Sequence, residues 1–555
     1  MKKVNEALHL RRPRRWWWRR KRPLAVTPEG NTEQLRSRKT VVSTRAEKGD
    51  LVILSNGPGE VATWVIPVVR EIHARRQRMK TKGGGDGDGD GDGGGGREES
   101  LRISVVFAPC PHASGREHEW VSCIPEVDRC LSADNFWKFI FAGKKGFELE
   151  SKRWDWREKG VVLFLGGDQF NTVVAGLRLN YETASYCNEA VRWNGLINWI
   201  SLRSENLAVE KPRWNTRQEV VGDLLRSAVA QGREEAAARG MMEKLGGKEL
   251  DGKEEETKTI LLLPGSKHAK LLVGVPYFIA VAQHMHRTMA CRCRFVLPLA
   301  PTVTLEQLQA YFSPEKNFVV NKHQWLGTSE LRLETHQAEH ERIGLSSEYV
   351  GDIVSRTRGE SEGLPPREEG LKIEVYRGLL PPYDVYRSSD LAITTVGTNT
   401  AELAYLQVPM LCVLPTHELS AFKGSAGGLL GLLMSLPGVL GDIVAGIVNA
   451  YVVKRIKHFA LPNMWARRSV VPELVGKVTP ETAAKHARSL IEDPSTLQDM
   501  KEDLSLVCKA NDGEAPSDPA SVIASRCIQL ASGEEEGEEQ EQGARWSNRG
   551  IQMQM

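Results

Sequence analysis

With 555 residues the chain exceeds what one hydrophobic core accommodates, so two or three domains are expected. Hydrophobic residues at 41% and charged residues at 26% exclude a chain that is disordered throughout. A net charge of +3 gives no ground for a nucleic-acid partner, and nine cysteines without a repeated spacing exclude a disulfide framework and point to a reducing compartment.

The charge is unevenly spread. Residues 1–49 form a basic segment, "RRPRRWWWRRKRP" included, with no secretory apolar core. It is similar to an organelle transit peptide, which makes a plastid (chloroplast) address the expectation; the alternative is a basic tail on the cytoplasmic face of an anionic membrane. The first folded element, "DLVILSNGPGEVATWVIPVVREIHARR", reads as a buried strand, a Gly-Pro-Gly turn and an amphipathic helix. The Gly/Asp tract at 83–96 cannot bury anything and is a flexible insertion without the ligand spacing of a calcium loop. Strands follow at "LRISVVFAPC", "GVVLFLGGDQF" and "ETASYC", with a helix at "NTVVAGLRLN", and "QEVVGDLL" closes this half.

Residues 231–258 are charged and poor in apolar side chains, which reads as a linker between a domain spanning 50–230 and a second spanning 259–508. In the second half the alternation restarts with "KTILLLPGSKHAKLLVGVPYFIAVAQHM", "CRCRFVLPLAP" and a helix from "TLEQLQAYF". Residues 326–370 read as a polar surface insertion, after which "LKIEVYRG", "DLAITT" and "VPMLCVLP" complete a sheet. A C-terminal helix and an acidic tail fill 509–555. Strands alternating with helices in both halves predict an α/β chain of two Rossmann-like domains facing each other across a cleft. The apolar stretch 427–459 is interrupted by Pro437, Asp442 and Asn449 and never reaches a bilayer span. It reads either as a buried hairpin or as interfacial helices over 427–457, with Lys454, Arg455 and Lys457 at the headgroups.

Three turns after predicted strands carry candidate chemistry. In "LLLPGSKHAK", Gly265 and Ser266 form a turn whose N–H groups suit an anion, with Lys267 and Lys270 adding charge; the P-loop spacing is absent. In "TTVGTNTAELAYL", Gly397, Thr398, Asn399 and Thr400 open a helix whose dipole suits a pyrophosphate, and Glu402 either accepts from ribose hydroxyls or complements the helix terminus. In "VVLFLGGDQFN", Asp168 is either a general base at the cleft edge or the N-cap of the following helix. The spacing of Cys110, His112, His118 and Cys123 matches no zinc pattern, so no metal or other obligatory cofactor is expected.

These turns, in this order and with "ALPNMWARRSVVPELVG" after them, resemble lipid-A-disaccharide synthase, and more closely its cyanobacterial and plastid-type relatives, over roughly residues 50 to 508. The resemblance implies a GT-B glycosyltransferase that moves an acylated glucosamine from a UDP-sugar to an acylated glucosamine 1-phosphate, with inversion and release of UDP. It implies a nucleotide site at Gly265, Ser266, Lys267, Gly397, Thr398, Asn399, Thr400 and Glu402, and a catalytic Asp168 with Asn171 beside it. It further implies an acceptor and cleft side lined by Gly57, Gly59, Pro462, Asn463, Pro472 and Glu473, with a lipid-sugar acceptor and a membrane surface as partners. The chain departs from the family's first loop, Gly-Glu-Ala-Ser-Gly-Asp, which here reads "SNGPGEVATW" over Ser55 to Trp64, and Lys267 replaces an arginine. Two alternatives stay open: an enzyme like a UDP-GlcNAc epimerase, and an inactive relative that binds sugar nucleotide or lipid.

Overall fold

The computed structural model describes residues 49–82, 101–110, 113, 115–150, 152–209, 216–238, 257–326, 331–337, 370–378, 380–417, 457–513, 515–516 and 518–532. Residues 1–48 of the basic segment, the Gly/Asp insertion, His112, residues 427–456 and the acidic tail lie outside the described residues. Among the described residues no helix is long and apolar enough to cross a membrane.

The first lobe is built on β1 (Gly49–Ser55), β2 (Arg102–Phe107), β3 (Arg129–Leu131), β6 (Lys159–Phe164), β7 (Glu182–Cys187), β8 (Trp199–Leu202) and β9 (Arg217–Val220), with a separate hairpin of β4 (Phe147–Leu149) and β5 (Lys152–Trp154). The seven strands pair in parallel in the order β3-β2-β1-β6-β7-β8-β9. A parallel sheet is covered on both faces, and the unbroken apolar run of β1 answers to that, since Leu51 through Leu54 have no exposure. The chain winds from β1 outward to β3, then crosses to β6 on the other side of β1. That reversal opens a crevice beyond the carboxyl ends of β1 and β6.

The second lobe repeats the plan with β10 (Thr257–Leu263), β11 (Arg292–Pro298), β12 (Leu331–Gln337), β13 (Leu371–Arg377), β14 (Leu391–Thr394), β15 (Met410–Pro415) and β16 (Glu473–Gly476). Their parallel order is β12-β13-β11-β10-β14-β15-β16, so its crevice lies beyond β10 and β14. Two Rossmann-like lobes are therefore present, as the alternation of strands and helices requires. The region expected to be a polar insertion contributes the edge strand β12 over 331–337. Its sequence, LRLETHQ, has two apolar residues, Leu331 and Leu333, both buried, too few for the pattern to stand out. The Gly-Pro-Gly turn is shorter than expected. Gly57 alone is the N-cap, Pro58 takes the first helical position, and a wide π turn at Val61–Val65 leads into the helix Ile66–Lys82.

Two helices tie the lobes together. The helix Leu224–Ala238 carries the expected linker's first residues in helical form, and its Leu225, Ala228 and Val229 pack into the second lobe's core. Its Gln231 donates to Pro67 O of the first lobe at 3.1 Å. The final helix, Pro519–Ser532, returns to the first lobe, burying Ile523, Ala524 and Cys527 there. Arg75 holds it through Ser521 Oγ at 2.6 Å.

At the amino end of β1, away from the crevice, Asp50 is fully buried. It accepts a two-pronged bond from Arg102 at 2.7 and 3.0 Å, and further bonds from Tyr181 Oη at 2.7 Å and Arg157 N at 2.8 Å. Removing one member of such a cluster leaves a buried charge unpaired. Asp50→Ala is expected to lower stability by about 3–5 kcal/mol in chemical denaturation, without changing ligand affinity in the folded fraction.

Candidate functional site

The crevice residues follow from the topology, since each lobe places its glycine turns at its own winding reversal. In the second lobe β10 delivers Pro264 to Lys267, and the helix His268–Thr288 starts directly after. Lys267 is its N-cap, and neither it nor Ser266 makes a side-chain hydrogen bond among the described residues. From β14, the turn at Gly397 opens the helix Thr398–Tyr405, which also has no side-chain cap. Two helix amino termini with uncapped N–H groups thus converge on one spot.

Between them lies Lys270. Its Nζ donates to Val396 O at 2.6 Å, tying the first turn's helix to the second turn. No carboxylate pairs with it among the described residues. Burial, and then the neighbouring Lys267, push its ammonium down to about 8. The ammonium fits because position 397 is glycine: its φ is +140°, and a Cβ there would stand 3.1 Å from Nζ. In sequence Lys270 reads only as added charge; its bond to the second turn is a contact 126 residues away that no local pattern encodes.

Glu402 lies one turn inside its helix and is 5% exposed, so it does not serve the helix terminus. Its Oε1 accepts from Tyr383 Oη at 2.9 Å, and Oε2 has no hydrogen bond among the described residues. Burial raises this carboxyl to about 7.

Several predicted contact residues are internal instead. Thr400 is fully buried, donating to Gly397 O at 2.8 Å and accepting from Leu461 N at 3.0 Å. Pro462 and Asn463 do not line the cleft. Asn463 has no exposure and spends its whole amide on Val470 N, Val471 N, Val471 O and Glu473 Oε1. Glu473 in turn accepts from Phe459 N and Ala460 N at 3.0 and 2.8 Å, ahead of the helix Leu461–Ala466. This polar cluster buttresses the helix Thr398–Tyr405 from behind. The expectation failed because a buried, saturated asparagine and a cleft asparagine look alike in sequence.

The first lobe's crevice faces this spot. A side chain added at Gly59 would come within 3.6 Å of Thr398 Oγ1, so the two lobes touch beside the second turn. Gly57 is buried as N-cap. Gly166, at φ +145°, has room for no Cβ, which would meet Asn56 Oδ1 at 2.8 Å and Glu60 Cγ at 3.3 Å. Asn56 Oδ1 is itself buried without a donor. Asp168 is exposed, caps the helix Gln169–Leu179 through Phe170 N at 2.9 Å with Oδ1, and its backbone O accepts from Asn171 N. Glu60, not singled out in sequence, makes no hydrogen bond or ion pair among the described residues. Its only sequence signal was its place in the departing first loop. A cavity of about 210 Å³ extends the crevice between the lobes, lined by Arg116 and Trp120 on one side and Thr302 and Arg377 on the other. Thr302 Oγ1 is buried without a partner. The second lobe thus brings Lys267, Lys270 and two helix termini to its reversal, and the first lobe brings Glu60 and Asp168 to its own.

No protein-family model matches this chain, and no curated protein matches it in sequence. Solved structures match along most of its length. The UDP-GlcNAc 2-epimerase of Neisseria meningitidis bound to UDP-GlcNAc is 12% identical, covering 86% of this chain and 98% of its own, with a TM-score of 0.42. A putative UDP-N-acetylglucosamine 2-epimerase of Listeria monocytogenes is 12% identical, covering 87% and 96%, at 0.44. Arabidopsis thaliana UGT89C1 complexed with quercetin is 7% identical, covering 87% and 100%, at 0.36. Likeness at this level assigns no activity.

The two buried ionisable groups make opposite predictions for stability against pH. Lys270 has its folded value depressed, so its cost is present below about 8 and fades toward the unfolded value of 10.5. Lys270→Met should therefore raise the thermal midpoint at neutral pH, the gain shrinking as pH rises through that window. Glu402 has its folded value raised, so stability present below 4.5 is lost as pH rises through about 7. Glu402→Gln should give no gain in acid and a growing gain up to neutral pH.

Proposed function

We propose that the protein is a UDP-sugar-dependent, inverting glycosyltransferase of the lipid-A-disaccharide synthase type. On this reading it transfers an acylated glucosamine from UDP to an acylated glucosamine 1-phosphate or a related lipid acceptor. The observation that supports the reading is Lys270, a buried ammonium without a carboxylate partner among the described residues, set between two uncapped helix termini at the second lobe's winding reversal. A diphosphate supplies the missing counter-charge there. Ser266 and the N–H groups of Thr398 and Asn399 add donors, and Lys267 adds a second cation. Glu402 Oε2 is the oxygen left to receive a ribose hydroxyl.

In the transfer, the acceptor hydroxyl gives its proton to a carboxylate as its oxygen bonds to the sugar's anomeric carbon. The bond from that carbon to the UDP oxygen breaks, and the electron pair leaves on the β-phosphate. Lys270, Lys267 and the two helix dipoles stabilise that charge as it develops, without reorganising. Asp168, with Oδ2 outside its capping bond, is the proposed base. Glu60 is the alternative base, favoured by its lack of a partner and its place against Gly166. The acceptor's phosphate finds Arg377 in the adjoining cavity.

The test is incubation with a UDP-linked acylated glucosamine and lipid acceptor, followed by mass spectrometry of the products. A disaccharide with stoichiometric UDP supports the reading. Conversion of UDP-GlcNAc alone to its 2-epimer identifies the epimerase-like alternative, and UDP binding without turnover identifies an inactive relative. Asp168→Asn is expected to keep UDP affinity while lowering kcat by about 10²-fold or more. Full turnover in that variant, with loss in Glu60→Gln, moves the base to Glu60.

A further inference from the structure

Asp168, Gln169 and Phe170 have three different tasks in three successive positions. Asp168 caps the helix Gln169–Leu179 by accepting from Phe170 N, which ties the carboxylate to the residue carrying the ring. Gln169 is buried and grips the loop after β7: its Nε2 donates to Ala190 O and its Oε1 accepts from Arg192 N, both at 2.9 Å. Phe170 is 44% exposed and packs on Trp193 of that loop, itself 42% exposed. Their ring centroids stand 4.7 Å apart with the planes inclined by 38°. Because β6 and β7 are neighbours in the parallel sheet, helix and loop both start from carboxyl ends, on the crevice side.

Trp193 is held in a backbone conformation that a bulky residue disfavours. Its φ is +59°, in the left-handed region that glycine enters freely and tryptophan rarely does. The chain on both sides fixes it there. Gln169 holds Arg192 N before it; after it, Trp193 O accepts from Leu196 N and Gly195 N donates to Thr216 Oγ1, each at 2.9 Å. A tryptophan kept in strain while its ring stays exposed is not explained by core packing, and such outliers gather at ligand sites. The result of the strain is an indole set against Phe170, beside the proposed base. The polar groups around the two rings carry both signs: the exposed carboxylates of Asp168 and Glu189 and the exposed guanidinium of Arg192. A pyranose matches this combination. It offers one face of C–H groups to lie on rings, and a rim of hydroxyls that donate to carboxylates and accept from a guanidinium.

We propose that Phe170 and Trp193 form a stacking platform for a sugar ring, which brings one of its hydroxyls to Asp168. That this sugar is the acceptor rests on the transferase reading; the stacking itself does not. The full chain is mixed with glucosamine 1-phosphate, and saturation of the protein's aromatic protons is followed into the sugar by NMR. The expected result is transfer to the sugar C–H protons that persists with saturating UDP. Trp193→Leu should lower that transfer by about fivefold or more, and Trp193→Phe, which keeps a ring, should retain it. Trp193→Gly removes ring and strain together, and should lose the transfer with unchanged circular dichroism. Where turnover is found, Trp193→Leu should raise the KM for acceptor by about tenfold and leave that for the UDP-sugar unchanged. Equal transfer in Trp193→Leu, or none in the natural chain, overturns the proposal. Transfer that UDP abolishes places the sugar in the second lobe's crevice and overturns it as well. Transfer to the uracil protons of UDP that Trp193→Leu removes makes the occupant a base, which also overturns it. Sugar transfer without any turnover keeps the platform and removes the transferase reading. Turnover with an acceptor KM that Trp193→Leu leaves unchanged does the reverse.

Discussion

The bond from Lys270 Nζ to Val396 O is the interaction on which the second lobe's crevice depends. It fastens the helix after β10 to the turn after β14, so the two amino termini keep a common focus. Three cationic features, the ammonium and two helix dipoles, are held close together, and among the described residues a single carbonyl accepts from Lys270. Burial, and then Lys267, disfavour the ammonium there and hold it well below its ordinary value. Groups held against their preference in this way are pre-arranged for an anion, and a ligand's charge recovers what folding gave up.

Behind this focus the fold invests saturated hydrogen bonds. Asn463, Glu473 and Thr400 form a hydrogen-bonded network behind the helix Thr398–Tyr405 that leaves it little room to shift. Asp50 does the same at the opposite end of the first sheet. Against that saturated network, Lys270 with a single carbonyl, Glu60 without a bond and Asn56 Oδ1 without a donor among the described residues stand by the glycine turns at the two winding reversals.

Much of this was legible in sequence because buried parallel strands write themselves as continuous apolar runs. "LVIL", "VVLFL", "TILLL" and "LAIT" mark the four strands that flank the two winding reversals, and the glycine turns after them fall where the topology puts a ligand. Less could be read where the signal was sparse or ambiguous. β12 offers two buried leucines, too few to distinguish a strand from a polar insertion. The roles of Asn463 and Glu473 depend on partners about ten residues away, contacts that no local pattern encodes. Glu60 carries no local signal that sets it apart from other first-turn glutamates, and the facing of Gly59 to Thr398 is a contact across more than three hundred residues that only the folded lobes reveal.

The measurement that bears most directly on the crevice is a crystal structure of the protein soaked with UDP. The diphosphate should lie between the Gly265–Lys267 turn and the first residues of the Thr398 helix, with Lys270 Nζ turned from Val396 O to a phosphate oxygen and a ribose hydroxyl on Glu402. UDP bound elsewhere, or a diphosphate that leaves Lys270 on its carbonyl, would contradict the assignment.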